Sequence, residues 1–261
     1  MSEGEDRMAV DRRVLLGLGA VAGAGAAAQA LARHDGLLGG QGERITNALP
    51  WRDGQTDAPD AAPGGDGFRF LQEAEARFLT AAVDRLIPPD DTGPSASQAG
   101  VVIFLDRQLA GEYGQGAHWY LEGPWRPGTE SQGYQSRFTP AQFYRHAIAA
   151  IGKAVGQAHG NRSFHELDAS AQDGLLHRME SGDLKLEGSI TSEAFFKQFQ
   201  QNVLEGYFSD PIYGGNRNGS AWKMIGFPGA HYDYREWASV HGRRIPVATV
   251  GLRGRTGWAR G

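Results

Sequence analysis

Five side chains between residues 206 and 234 have the residue types that a small catalytic or ligand-binding site needs. They are Asp210, Arg217, Lys223, His231 and Asp233, which together include a general base, a general acid and a partner for an oxyanion. A free-standing exported enzyme or ligand-binding protein with its site in this segment is therefore one hypothesis for the chain.

Other patterns of catalytic or metal-binding residues are weak. The eight histidines form no His-Glu-x-x-His pair, and no Gly-x-Ser-x-Gly nucleophile motif occurs. Gly214-Gly215-Asn216-Arg217 has the composition of an anion-binding turn, but the Lys-Ser/Thr ending of a phosphate-binding loop does not follow it. Because the chain has no cysteine, it offers no disulfide, no cysteine-bound iron–sulfur cluster and no Cys-x-x-Cys-His haem attachment.

The segment from Gly206 to Tyr234 also has an unusual composition. Its 29 positions hold six glycines, two prolines and seven aromatic residues. Glycine and proline at fixed positions predict a loop of defined turns, and the aromatic residues offer large, stiff contact surfaces. Two interpretations stay open, namely a loop that packs onto its own helices and a loop that docks onto a partner. The candidate docking residues are Tyr207, Phe208, Asp210, Tyr213, Asn216, Arg217, Trp222, Lys223, Phe227 and His231.

Helical periodicity predicts the elements that must hold this loop. Apolar residues recur every fourth position from Phe70 to Leu86, and Pro88-Pro89 then ends the pattern. A second helix is predicted over 99–110, and a long loop is predicted over 111–138.

Capping signals predict three more helices. Thr139 with Gln142 forms a capping box that opens a helix ending near 156–160. Ser170 with Asp173 predicts the start of a shorter helix, and Thr191 or Ser192 predicts the start of the last one. Strand signals are scarce, the best being 245–250. The fold class is therefore mostly α, a single helical domain with long ordered loops rich in glycine and aromatic residues.

The N-terminal residues have the parts of an export signal. A polar start contains the pair Arg12-Arg13, an apolar run of small residues follows over 14–28, and small-x-small cleavage patterns end it. The arginine pair before this weakly hydrophobic run resembles a twin-arginine signal. That route typically exports proteins folded around a cofactor, yet this chain has no cysteine to hold a cluster and no credible nucleotide-binding loop. A partner that carries the cofactor would resolve the mismatch.

Three other interpretations of the N-terminus compete with export. A membrane anchor would need about 20 strongly apolar residues, more than this run supplies. A dinucleotide-binding turn is suggested by the glycine pattern over 23–28, but no second strand follows it. The third alternative is a disordered end without a role.

Charge and hydropathy exclude two broad classes of protein. The 261 residues carry a net charge of −4, which argues against general nucleic-acid binding. The mean hydropathy of −0.44 argues against a polytopic membrane protein. The predicted organisation is a signal over 1–32, a flexible linker or arm over 33–67, a helical domain over 68–234 and a basic tail over 235–261. The tail carries six arginines against one acid, which suits either docking onto carboxylates or phosphates or a solvated end.

The loop sequence resembles a known family. Phe-Ser-Asp-Pro-Ile-Tyr-Gly-Gly-Asn-Arg over 208–217 and Trp-Lys-Met-Ile-Gly-Phe-Pro-Gly over 222–229 are similar to the signature of the gluconate 2-dehydrogenase subunit 3 family. Leu86-Ile87-Pro88 and residues 99–111 also resemble it, so the resemblance covers about 70–234. Gly219 departs from the methionine that members often have near this position.

The resemblance implies a heterotrimer in which this chain is the small, non-catalytic subunit. A large subunit with FAD and an iron–sulfur cluster would oxidise the sugar or sugar acid. A multihaem cytochrome c subunit would pass electrons toward the quinone pool and anchor the complex at the inner membrane. The small subunit would hold no cofactor and no metal, and would support export and maturation of the large one in the periplasm. The rival hypotheses are the free-standing enzyme or binding module and an exported structural protein without a dehydrogenase partner.

Overall fold

The structure is a computed structural model that describes residues 67–252 except 127, 133, 135, 232–237 and 244–248. The predicted signal over 1–32, with Arg12 and Arg13, lies outside the described residues, as does the predicted arm apart from residue 67. Seven α-helices make up the described fold, which confirms the mostly α class. They are α1 (Glu73–Leu86), α2 (Val101–Ala110), α3 (Glu112–Gln115), α4 (Pro140–Ala158), α5 (Ala169–Glu180), α6 (Ser192–Phe208) and α7 (Ser220–Ile225).

Helix α6 is the centre of the described fold, because α2, α4, α5 and α7 all pack against it. Its apolar face, spaced at four residues, buries Phe195, Phe199, Val203 and Tyr207. The Phe195 and Phe199 rings stack with centroids 5.6 Å apart. The helix therefore fixes the position from which the segment after Phe208 departs.

Polar contacts tie the ends of the helices together. The buried carboxylate of Asp106 in α2 accepts hydrogen bonds from the backbone N–H groups of Arg69, Phe70 and Leu71, at 2.8–2.9 Å. Arg85 at the end of α1 forms a two-pronged pair with Asp173 of α5, at 2.7 and 2.6 Å. A carboxylate that accepts several N–H groups holds a chain segment in one place, so Asp106 fixes the entry into α1.

Two capping signals are confirmed and one is wrong. Thr139 accepts a hydrogen bond from the N–H of Gln142, and Thr191 caps α6 by accepting from the N–H of Ala194. Helix α5 is capped instead by Asp168, whose side chain accepts from the N–H of Ala171. The predicted start at Ser170 is therefore two residues late, because aspartate at the earlier position satisfies the free N–H groups.

The predicted loop over 111–138 is also more regular than expected. The single-turn helix α3 follows directly after Gly111, and a short 3-10 turn lies at Glu130–Gln132. Helix α3 packs against both α2 and α4. Periodicity cannot reveal one helical turn, because a four-residue pattern does not complete an apolar repeat.

A buried polar cluster joins α3, α4 and α6. The hydroxyls of Tyr113 and Tyr144 both donate to Asn202 Oδ1, at 3.1 and 2.8 Å, and Gln198 Nε2 donates to the Tyr113 hydroxyl at 2.8 Å. Burial raises the pKa of Tyr113 to about 12 and the pKa of Tyr144 well above its ordinary value. Both phenols thus stay protonated in the folded chain at a pH where the unfolded chain ionises them.

We expect this cluster to make folding sensitive to alkaline pH. Its stabilising contribution is complete below the unfolded pKa of about 10 and falls as pH rises toward the folded value, because only the unfolded chain releases protons there. Urea unfolding at about pH 9 and about pH 11 should show a smaller loss of stability for Tyr113→Phe than for the wild type. Equal losses in the two proteins would contradict this assignment.

No helix within the described part of the chain combines the length and the apolar character needed to cross a membrane.

Candidate functional site

The segment after α6 is an ordered run of short helical turns rather than one open loop. Gly206 to Phe208 belong to the end of α6, and 3-10 turns follow at Pro211–Tyr213 and Arg217–Gly219 before α7 begins at Ser220. The predicted loop over 206–234 is therefore wrong at its start, where residues 206–208 are helical, and over Ser220–Ile225, which form α7. We call residues 209–230 the docking loop.

Asn216 holds the centre of the docking loop. Its backbone is in the left-handed region, with φ of 44°, and its side chain is completely buried. Its Nδ2 donates to the carbonyl of Ser209 at 2.8 Å, and its Oδ1 accepts from the N–H of Ala221 at 2.9 Å. One amide thereby joins the first residue of the loop to the first turn of α7.

Asp210 has a structural role in the same loop. Its Oδ1 accepts from the N–H of Ile212 at 2.9 Å, and its Oδ2 accepts from the N–H of Leu252 at 2.6 Å. Both carboxylate oxygens are thus occupied by backbone donors. This arrangement opens the first 3-10 turn and fastens the C-terminal residues, and it leaves Asp210 poorly placed to act as a base.

The docking loop lies directly against the start of α2. The N–H of Arg217 donates to the carbonyl of Ala99 at 2.9 Å. Gly100 has φ of +86°, and a Cβ added there would overlap the carbonyl oxygen of Gly214. The backbones approach so closely because Gly100 lacks a side chain, whereas a Cβ on Gly214 would instead meet Ile103 and Arg107 of α2.

We predict that Gly100→Ala destabilises the chain by about 2–4 kcal/mol, from the overlap with backbone in addition to the strain of positive φ. Gly226→Ala is the matched control, because Gly226 has φ of +72° and open space around its Cβ position. The control should lose only about 1 kcal/mol. Thermal or urea unfolding compares the two, and equal losses would show that the close approach to Gly214 is unimportant.

The aromatic residues of the docking loop and of the adjoining end of α6 divide into buried and exposed groups. Trp222 is buried and its Nε1 donates to the carbonyl of Phe208 at 2.8 Å, while the buried Tyr207 donates its hydroxyl to the carbonyl of Pro94 at 2.9 Å. Tyr213 and Phe227 are 48% and 44% exposed, and the neighbouring Ile225 is 53% exposed. The loop thus packs onto its own helices and also presents apolar side chains outward.

The structure shows no direct contact among the described residues of the enzyme hypothesis. Among the described residues, no hydrogen bond or ion pair joins any two of Asp210, Arg217 and Lys223. Lys223 is exposed, His231 is partly buried, and Asp233 lies outside the described residues. The part of the chain that the structure describes also contains no group of three His, Asp or Glu side chains that could hold a metal ion.

One catalytic pattern in the loop was missed at the sequence level. Ser220-Ala221-Trp222-Lys223 has the Ser-x-x-Lys spacing of serine acylation motifs. The Ser220 Oγ atom is buried and has no hydrogen-bond partner among the described residues, whereas Lys223 is exposed. A hydroxyl buried in this way is not offered to a substrate, so the spacing does not build a nucleophile here.

The C-terminal residues 249–252 pack onto the docking loop. Val250 is buried and pairs with Gly229 in an isolated parallel bridge, where its N–H donates to the carbonyl of Pro228 at 3.1 Å. The carbonyl of Val250 accepts from the N–H of Ala230 at 2.6 Å. The predicted strand over 245–250 lies mostly outside the described residues. Sequence reasoning did not predict that residues 249–252 pack onto the docking loop. The apolar run that ends at Val250 was the one sequence feature that indicated it.

These features define a helical protein whose surface carries an ordered, hydrogen-bonded and partly apolar loop. The family model described as gluconate 2-dehydrogenase subunit 3 matches residues 73–229, more than half of the chain. The chain therefore belongs to the gluconate 2-dehydrogenase subunit 3 family, which confirms the resemblance of the loop sequence. Members of this family are accessory subunits of a multi-subunit gluconate 2-dehydrogenase. No curated protein and no solved structure gave a significant match.

Proposed function

We propose that this chain is the non-catalytic small subunit of a periplasmic FAD-dependent gluconate or sugar dehydrogenase, and that it supports the export, maturation and stability of the large flavoprotein subunit. The family places the chain in an oxidoreductase complex. The proposal adds that the partner is a flavoprotein and that this subunit supports its export, maturation and stability.

The observation that carries the proposal is the rigid docking loop with outward apolar side chains. Tyr213, Ile225 and Phe227 are each about half exposed, while Asn216 and Trp222 beneath them are buried and hydrogen-bonded. A surface already held in one conformation loses little entropy when a partner covers it. Exposed aromatic residues on a rigid support are also typical of interface centres.

The proposed division of cofactors rests on the family resemblance and on the lack of cysteine in this chain. FAD and an iron–sulfur cluster belong to the large subunit, and haem c belongs to the cytochrome subunit that passes electrons to the quinone pool. This chain has no cysteine to ligate a cluster or attach a haem. Its part is to bind and stabilise the protein that performs the oxidation.

Export by the twin-arginine route completes the proposal. Arg12-Arg13 would direct the chain, folded together with the large subunit, to the periplasm, where the complex associates with the inner membrane through its cytochrome subunit. A large subunit without a signal of its own would then depend on this chain for export.

Deletion and complementation test the proposed function. We expect cells that lack this chain to lose periplasmic oxidation of gluconate and related sugar acids, measured with an artificial electron acceptor, and to regain it when the full-length chain is restored. Unchanged activity in the deletion strain would overturn the proposal. Sugar-acid oxidation by the purified chain alone would establish the free-standing enzyme instead.

A further inference from the structure

Arg107 is a partly buried cation for which the described part of the chain provides no partner. It lies in the last turn of α2, and no hydrogen bond or ion pair of its guanidinium occurs among the described residues. Its side chain lies against the docking loop, since a Cβ added to Gly214 would be 3.0 Å from Arg107 Nη1 and 3.4 Å from its Cδ. The guanidinium therefore lies at the edge of the docking loop, beside Gly214, the residue that follows Tyr213.

Arg107 also lines a cleft. Its volume is about 410 Å³, and it lies between the last turn of α2, helix α3 and residues 116–119. Tyr113 and Trp119 form an aromatic wall, with ring centroids 5.7 Å apart in an edge-to-face arrangement. The cleft thus combines two aromatic side chains with a cation that also lies against Gly214 of the docking loop.

The cleft also contains an acidic residue. Glu112 Oε2 lies 3.0 Å from His118 Nε2, a contact that is an ion pair only when His118 is protonated, and both side chains are largely exposed. Arg107 itself forms no ion pair with an acid of the described residues. A guanidinium presents five N–H donors in a planar fork, which a carboxylate fits with two parallel hydrogen bonds.

The surroundings of the cleft favour a protein segment over a small dissolved anion. Trp119, which lines the cleft, is 37% exposed, its neighbour in sequence Tyr120 is 82% exposed, and Tyr213, which precedes Gly214, is 48% exposed. An isolated anion would leave these aromatic surfaces in contact with water. A protein segment that carries a carboxylate beside apolar side chains would cover them and pair with Arg107 at the same time.

We propose that the docking surface extends from Tyr213 across Arg107 into this cleft, and that it seats an acidic, partly apolar segment of the large subunit with a carboxylate paired to Arg107. This inference rests on the proposed function and adds the chemistry of the contact. Arg107 holds the partner's carboxylate, and Trp119 and Tyr120 cover its apolar neighbours.

The test measures the affinity of the purified flavoprotein subunit for the purified small subunit. Arg107→Glu should weaken binding roughly tenfold to a hundredfold, since a like charge replaces the partner of a carboxylate. Arg178→Glu is the matched control, because Arg178 is also an arginine in the last turn of a helix but is exposed on α5. Tyr120→Ala, at a largely exposed position that the fold does not need, should weaken binding severalfold.

Four outcomes decide between the alternatives, with circular dichroism confirming that each variant is folded. The inference is supported if the affinity falls in Arg107→Glu and Tyr120→Ala, falls less in Arg107→Lys and is unchanged in Arg178→Glu. Equal affinities of Arg107→Glu and Arg178→Glu overturn it while the proposed function stands. Stabilisation of the isolated chain by sodium acetate beyond that by sodium chloride, lost in Arg107→Glu, overturns it in favour of a small-anion site. If the wild-type chain binds no flavoprotein, the proposed function itself fails.

Discussion

Replacing Asn216 by alanine is expected to lower the free energy of unfolding by about 3–5 kcal/mol, a large part of the stability of a domain of this size. The variant leaves the carbonyl of Ser209 and the N–H of Ala221 without their buried partner. It also places a residue with a Cβ but no polar side chain in the left-handed region. Urea unfolding of the purified chain measures the effect.

Asn218 provides the control for this experiment. It has a similar left-handed backbone, with φ of 61°, but its side chain is exposed and no hydrogen bond of that side chain occurs among the described residues. Asn218→Ala should therefore cost only about 1 kcal/mol, the strain of the backbone alone. If the two variants lose the same stability, the amide of Asn216 does not hold the docking loop together.

Replacing Arg12-Arg13 by two lysines is expected to leave both this chain and the large subunit in the cytoplasm. The twin-arginine route reads the arginine pair itself, so a change that keeps both charges should remove most of the periplasmic dehydrogenase activity. Cell fractionation, followed by activity measurements with an artificial electron acceptor, gives the result.

Arg7→Lys is the matched control in the same polar segment and should export normally. The comparison separates recognition of the pair from a general effect of altered arginine residues near the N-terminus. Normal periplasmic activity of the large subunit in the Lys-Lys variant would contradict the proposal that export of the large subunit depends on this chain.

Local sequence signals predicted much of the helical framework. Thr139 and Thr191 cap helices because the bond that each makes spans only three residues, and the i, i+4 pattern from Phe70 ends at Leu86 beside Pro88-Pro89. Helices α3 and α7 were missed because each is too short for an apolar repeat. Asp168 was overlooked as a cap because Ser170 also has a capping side chain.

The arrangement of the docking loop depends on contacts between residues that are distant in sequence, which one sequence does not reveal. The composition of 206–234 indicated turns and contact surface, but not which aromatic residues face inward. Asp210 was a candidate base, and its bond to the N–H of Leu252 spans 42 positions. The position of Arg107 beside Gly214 likewise arises only when α2 packs against the docking loop. Family membership, by contrast, depends on the local sequence of the loop and was predictable from it.

Affinity purification of the full-length chain from detergent-solubilised membranes of the organism that encodes it tests the central claim most directly. We predict that a larger protein co-purifies and that FAD, released by denaturation and measured by fluorescence, is present in amounts close to those of the chain. A chain that purifies without any flavin-containing protein, or that oxidises a sugar acid by itself, would contradict the account.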